Sequence, residues 1–90
     1  MYFCGIDVAK HRHAALVMDD KGQVVQPAFS FDNSRAGFDK LATTLAEFSD
    51  RMTVGLEATG HYWLALYDEL TQQGYPVTVI NPLQVAAYRR

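Results

Sequence analysis

Two stretches carry the residues best suited to chemistry. Phe3-Cys4-Gly5-Ile6-Asp7-Val8 is an apolar run with one carboxylate set in it, and Val54-Gly55-Leu56-Glu57 repeats that design. If both are strands lying side by side, Asp7 and Glu57 meet at one edge of a sheet. Like charges held that close repel, and an acid within an apolar run costs free energy unless something compensates it. A divalent cation removes both difficulties, and hard oxygen ligands suit Mg²⁺ or Mn²⁺. Two such ions about 3.5–4 Å apart can activate a nucleophile and stabilise a leaving oxygen on phosphorus. The pair therefore points to metal-dependent phosphodiester chemistry. The plainer alternative is two solvated strand ends.

Lys10, His11, Arg12 and His13 follow directly after Asp7. They are candidates for phosphate contact, set against the simpler reading of a solvated loop. Lys10, Arg12, Thr59, His61, Arg89 and Arg90 make up the candidate nucleic-acid contacts. For His61 the competing reading is a helix-start histidine that packs locally. Three histidines without H-E-x-x-H spacing make no case for zinc. The chain has no G-x-x-x-x-G-K-[ST], no G-x-S-x-G and no G-x-G-x-x-G. Those absences argue against P-loop nucleotide hydrolysis, serine-hydrolase chemistry and a dinucleotide fold.

Ninety residues allow one small domain, and 49% apolar residues with five Phe, five Tyr and one Trp can build its core. A formal charge of -2 and a pI near 5.8 lack the basic balance of a self-sufficient nucleic-acid binder. Any such binding has to rest on local patches or on further chain. The single cysteine excludes an internal disulfide, and Cys4 is expected as a small apolar filler. No run approaches the ~18 apolar residues of a membrane span, and no signal peptide opens the chain. A cytoplasmic protein without membrane contact is the expectation.

The elements that must position the acids follow from periodicity. Strands are predicted at Tyr2 to Val8, His13 to Met18 and Gln23 to Phe31, with a turn at Asp19-Asp20-Lys21-Gly22. Pro27 places the third strand at an edge or a bulge. Both faces of the first strand are largely apolar, so it is expected to be covered on both sides. Asn33-Ser34 supplies an N-cap for a helix over 35–49, whose apolar stripe is Phe38, Leu41, Ala42, Leu45 and Phe48. A fourth strand is predicted at Met52 to Glu57. A second helix, capped by Thr59 and ended by Gly74, should bury Trp63, Leu66, Tyr67 and Leu70. A fifth strand at Tyr75 to Ile80 leads to Asn81-Pro82, the start of a third helix. Met18 and Met52 read as packing residues, and Trp63 and the tyrosines as core and surface aromatics.

The order β-β-β-α-β-α-β-α, three antiparallel strands followed by crossovers, is the ribonuclease H-like arrangement. It pairs the fourth strand parallel with the first and the fifth outside the fourth, as the crossover rule permits. Asp7 and Glu57 then share the C-terminal edge, where ligand sites of parallel strands lie.

At Gly5-Ile6-Asp7-Val8-Ala9-Lys10, Gly55-Leu56-Glu57-Ala58-Thr59-Gly60 and Val79-Ile80-Asn81-Pro82 the chain resembles a known family. It looks like the N-terminal domain of the DEDD transposases of bacterial insertion sequences, which include the Piv-type DNA invertases. The resemblance spans all ninety residues, and the three blocks in this order carry it. It implies a RuvC-like domain whose acidic tetrad binds divalent metal to cleave and exchange DNA strands. Asp7 matches the first acid and Glu57 the second. The third and fourth acids, and a downstream serine that attacks DNA, would lie beyond Arg90. Residues 1–90 are thus expected to be one C-terminally incomplete catalytic domain, inactive alone. The resemblance also implies a guide (bridge) RNA and a homo-oligomer in the full-length protein. An actin-like subdomain of the sugar-kinase and chaperone-ATPase type shares the opening meander, but Ala9 and His11 stand where its phosphate loop has glycine and a hydroxyl. A non-catalytic interaction module is the third reading.

Overall fold

The strongest alternation in the chain makes its central strands. The computed structural model describes residues 1–48, 50–58 and 60–80. Strand β1 is Tyr2–Asp7, β2 Arg12–Asp19, β3 Val24–Asp32, β4 Met52–Glu57 and β5 Val77–Ile80. Helix α1, Arg35–Leu45, lies between β3 and β4, and helix α2, Leu64–Gln72, lies between β4 and β5. The five strands form one mixed sheet in the order β3-β2-β1-β4-β5. β1 runs antiparallel to β2 and parallel to β4. β3 joins β2 antiparallel, and β5 joins β4 parallel. Strand order and directions are those predicted above.

The turns form for the reasons read from their residues. Asp19 Oδ1 accepts the N–H groups of Lys21 and Gln23, both at 2.9 Å, while Gly22 takes a φ of 81°. β3 is an edge strand, and its pairing with β2 shifts register between Ala15 and Met18, opposite the segment holding Pro27. Proline lacks the N–H that a regular ladder needs there.

Side-chain alternation splits the sheet into two unlike faces. Cys4, Ile6, Ala15, Val17, Phe31, Val54 and Leu56 are buried in one cluster with Phe38, Leu41 and Leu45 of α1 and Leu66 and Leu70 of α2. Each Val, Leu, Ile or Phe among them contributes about 1.5–3 kcal/mol on full burial. The two helices therefore cover the same face. On the other face Phe3 is 38% exposed and Met18 36%. This corrects two expectations: among the described residues the sheet is covered on one side only, and Met18 is not core. Met52, on the helix side, is buried as expected.

The helices begin and end on local chemistry. Ser34 is the N-cap of α1, its hydroxyl accepting from the Gly37 N–H at 3.2 Å. α1 stops at Leu45, four residues short of the predicted end, as Glu47 and Phe48 donate to carbonyls three residues back. Phe48 then turns onto Tyr2, ring centroids 4.9 Å apart, so the apolar stripe continues in space after the helix has ended. α2 starts only at Leu64, later than a cap at residue 59 implies, after a turn with Gly60 at a φ of 71°. Its end is the predicted one. Gly74 has a φ of 89°, its N–H donates to Thr71, and the Tyr75 N–H donates to Leu70, the paired bonds of a Schellman stop. Thr59 and the helix expected after Asn81-Pro82 lie outside the described residues.

Candidate functional site

Asp7 and Glu57 end the two central parallel strands and are direct partners in register, with Gly5 opposite Gly55 two residues earlier. Neighbouring strands stand about 4.8 Å apart, so the two acids leave the sheet side by side. Both are exposed and lie on the face away from the helices. Among the described residues neither carboxylate enters an ion pair. The Val8 N–H donates to the Glu57 carbonyl at 3.0 Å, extending the ladder one step past the acids.

A trough of about 380 Å³ opens in front of them, lined by Gly5, Asp7, Ala14, Gly55, Glu57 and Ile80. Gly5, Gly55, Ala14 and Ala28 bring little or no side chain to it, while Leu16 and Ile80 stand at its sides. Ideal Cβ atoms built on Gly5 and Gly55 meet nothing within 4 Å. Two carboxylates without an ion-pair partner among the described residues, beside an open glycine floor, fit a hard divalent cation with room left for its other ligands. Two carboxylates do not complete a coordination shell, and no group of three or more His, Cys, Asp or Glu converges among the described residues.

The other predicted contacts scatter. Lys10, His11 and Arg12 are exposed in or beside the β1–β2 connection, next to Asp7 in sequence. Arg12 is engaged by Asp32 in an exposed pair at 3.3 Å, of the kind that contributes little. His61 is exposed before α2, its ring 4.8 Å from that of Tyr62. Thr59, Arg89 and Arg90 lie outside the described residues. Trp63 is partly buried, as read above, and its indole N–H donates to the Gly60 carbonyl at 2.9 Å.

His13 departs from its expected place in the exposed cluster, being only 1% exposed. Its parity on β2 puts it with Ala15 and Val17, and that alternation was the available signal. Its Nδ1 accepts the Ala9 N–H at 3.1 Å. Asn33, expected only near a helix cap, donates from its backbone to the His11 carbonyl at 2.9 Å and from its side chain to the Lys10 carbonyl at 3.2 Å. The connection after Asp7 is thus tied at several points to the strands around it.

The fold and site define an α/β domain with a mixed five-stranded sheet and an acidic edge on its central parallel pair. The family model for transposases of the DEDD, IS110 type matches residues 4–90, and the chain belongs to that family. It is 37% identical over 91 residues to a Streptomyces coelicolor mini-circle protein named as the transposase for IS117, covering 97% of this chain. The chain spans 21% of that relative's length. Among solved structures, the ethanolamine utilization protein EutJ of Carboxydothermus hydrogenoformans is similar with a TM-score of 0.51 and 15% identity, over 99% of this chain and 39% of that one. An Aquifex aeolicus PPX-GPPA enzyme matches with a TM-score of 0.50 and 13% identity, over 93% of this chain and 37% of that one. At such identities these neighbours speak to the sheet architecture alone. No helix among the described residues is long and apolar enough to cross a membrane.

Proposed function

We propose that this chain is the ribonuclease H-like (RuvC-like) catalytic portion of a DNA transposase, with Asp7 and Glu57 as two of the acids that hold Mg²⁺ or Mn²⁺. The observation that carries this reading is the in-register placement of Asp7 and Glu57 on one face of neighbouring parallel strands, in a chain of a transposase family. Bound there, the metal would supply Lewis-acid activation at a DNA phosphate. The chain's own part is to hold two oxygen donors at a fixed spacing and to leave the glycine floor open for the phosphodiester. Lys10 and Arg12 flank that edge as phosphate contacts, and His61, Thr59, Arg89 and Arg90 are assigned the same role.

Two carboxylates are enough for one weakly held ion, because Mg²⁺ gives up its water reluctantly. The net charge of -2 also offers little counterion-release affinity for DNA. Residues 1–90 alone are therefore proposed to bind Mn²⁺ weakly and to cut nothing, with activity needing further acids in a longer protein. A guide RNA, self-association and a cytoplasmic bacterial setting belong to the same proposal and rest on the family resemblance.

The test is cleavage of supercoiled or junction DNA with Mg²⁺ or Mn²⁺. Wild-type full-length transposase should cut, while its Asp7→Asn variant and residues 1–90 alone should not. The Asn variant should stay folded, since the amide keeps the shape and removes the charge. An Asn variant as active as wild type, or robust cutting by residues 1–90 alone, rules out the role given to Asp7. Calorimetry with Mn²⁺ and with ATP supplies the contrast: heat with nucleotide plus metal alone would favour the actin-like reading, and heat with neither a non-catalytic module.

A further inference from the structure

The histidine in the core has a cost that its packing alone does not explain. His13 is 1% exposed and lies opposite Phe31 on β3, ring centroids 5.2 Å apart. Its Nδ1 accepts from Ala9, while its Nε2 has no partner among the described residues. A neutral imidazole accepting at Nδ1 carries its proton on Nε2. Among the described residues the core thus holds a donor with nothing to donate to, an arrangement that costs free energy. A leucine in this place would fill apolar space without that cost. What the imidazole adds is a single acceptor, aimed at the backbone two residues beyond Asp7.

That backbone forms a clamp on the acidic edge. Of two consecutive amides after Asp7, Val8 donates to the carbonyl of Glu57 and Ala9 to His13. The first ties the end of β1 to the second acid. The second ties the same segment to β2, the strand on the other side. The Ala9 acceptor belongs to a ring shielded from water, so the bond is not readily exchanged for hydration.

We propose that His13 is a positioning residue: by holding the Ala9 N–H it keeps the chain after Asp7 on the path that sets the two carboxylates at their working spacing. This rests on the metal-site reading above. Without the acceptor, the Ala9 amide turns to solvent, the Val8 to Glu57 bond loosens with it, and Asp7 samples directions away from its neighbour. His13 touches neither metal nor DNA in this role.

The experiment compares His13→Leu, which keeps apolar bulk and removes the acceptor, with His13→Asn, whose amide oxygen stands near the Nδ1 position. Both are made in the full-length transposase, with Asp7→Asn beside them. Hydrogen exchange is read at Ala9 and Ile6, and Mn²⁺ affinity by calorimetry. In His13→Leu, Ala9 should exchange at least about tenfold faster with Ile6 unchanged, and Mn²⁺ affinity should fall severalfold. His13→Asn should recover both. Wild-type affinity or unchanged Ala9 exchange in the Leu variant overturns the inference, as does equal loss in the Leu and Asn variants, which would mean packing rather than the acceptor matters. If His13→Leu does not fold, His13→Met is read in its place with the same outcomes. Asp7→Asn separates the two ideas: loss of binding there but not in His13→Leu defeats only the positioning role, whereas wild-type binding in Asp7→Asn defeats the metal reading and this inference together.

Discussion

Gly5 and Gly55 stand side by side on neighbouring parallel strands, each two residues before one of the paired acids. An ideal Cβ on either meets nothing within 4 Å, so packing does not demand glycine at these places. Glycine in a strand interior costs roughly 0.5–1 kcal/mol relative to alanine. The bare floor therefore weakens the strands slightly while keeping the space before Asp7 and Glu57 clear.

Filling that floor should separate stability from activity. Gly55→Ala is expected to leave the fold intact and raise its stability by about 0.5–1 kcal/mol in urea melts. Gly55→Leu should also fold, yet reduce DNA cleavage by the full-length transposase at least about tenfold, ~1.4 kcal/mol of transition-state stabilisation. Unchanged cleavage by the leucine variant would mean that the substrate does not enter the trough.

Gly37 is the opposite case. A Cβ there would lie 1.8 Å from the Asp32 carbonyl oxygen, because the first turn of α1 packs directly on the end of β3. The contact is backbone and cannot swing aside. Gly37→Ala should cost about 1–3 kcal/mol, seen as a lower urea midpoint. Ser34→Ala, removing only the cap hydroxyl, should cost about 1 kcal/mol. An alanine at 37 that leaves the midpoint unchanged would contradict this packing.

The two helices are joined by Arg35, whose guanidinium bonds both carboxylate oxygens of Glu69 and also reaches Asp39. The Arg35 hydrogen bond holds the Glu69 carboxyl below its usual range, with a smaller contribution from Gln73. A carboxylate lowered by folding stabilises the native state above its unfolded pKa and loses that contribution as pH falls through the folded value. Wild type should therefore melt above Glu69→Gln at neutral pH, and the gap should close as pH drops below the ordinary carboxylate value of about 4.3. A gap independent of pH would show that the ion pair is not its source.

Cys4 is 1% exposed, and burial pushes its thiol up to about 12. The thiolate is the reactive form, so at pH 8 the native chain should resist iodoacetamide. After denaturation the same residue should alkylate readily. Mass spectrometry showing rapid native labelling would place Cys4 outside the sealed core.

The sequence by itself determined the strand order, the cap at Ser34, the stop at Gly74 and the pairing of Asp7 with Glu57. The cap and the stop rest on short-range rules, a hydroxyl at a helix start and a glycine with positive φ, while the strand order and the acid pairing follow from matching the order of elements to the ribonuclease H-like arrangement under the crossover rule. Tertiary structure decided the rest. The apolar character of Phe3 and Met18 reads as burial in the sequence, yet the connections from β3 to β4 and from β4 to β5 run the same way along the sheet, and right-handed crossovers put both helices on the opposite face. Phe48 continues the stripe of α1 in sequence but reaches Tyr2 through turns, since packing rewards contact rather than helical conformation. His13 looks like part of a basic loop because its neighbours Lys10, His11 and Arg12 are polar. Its place in the core is set by β2 register against Phe31, and its purpose by the Ala9 amide that only the folded chain brings to it.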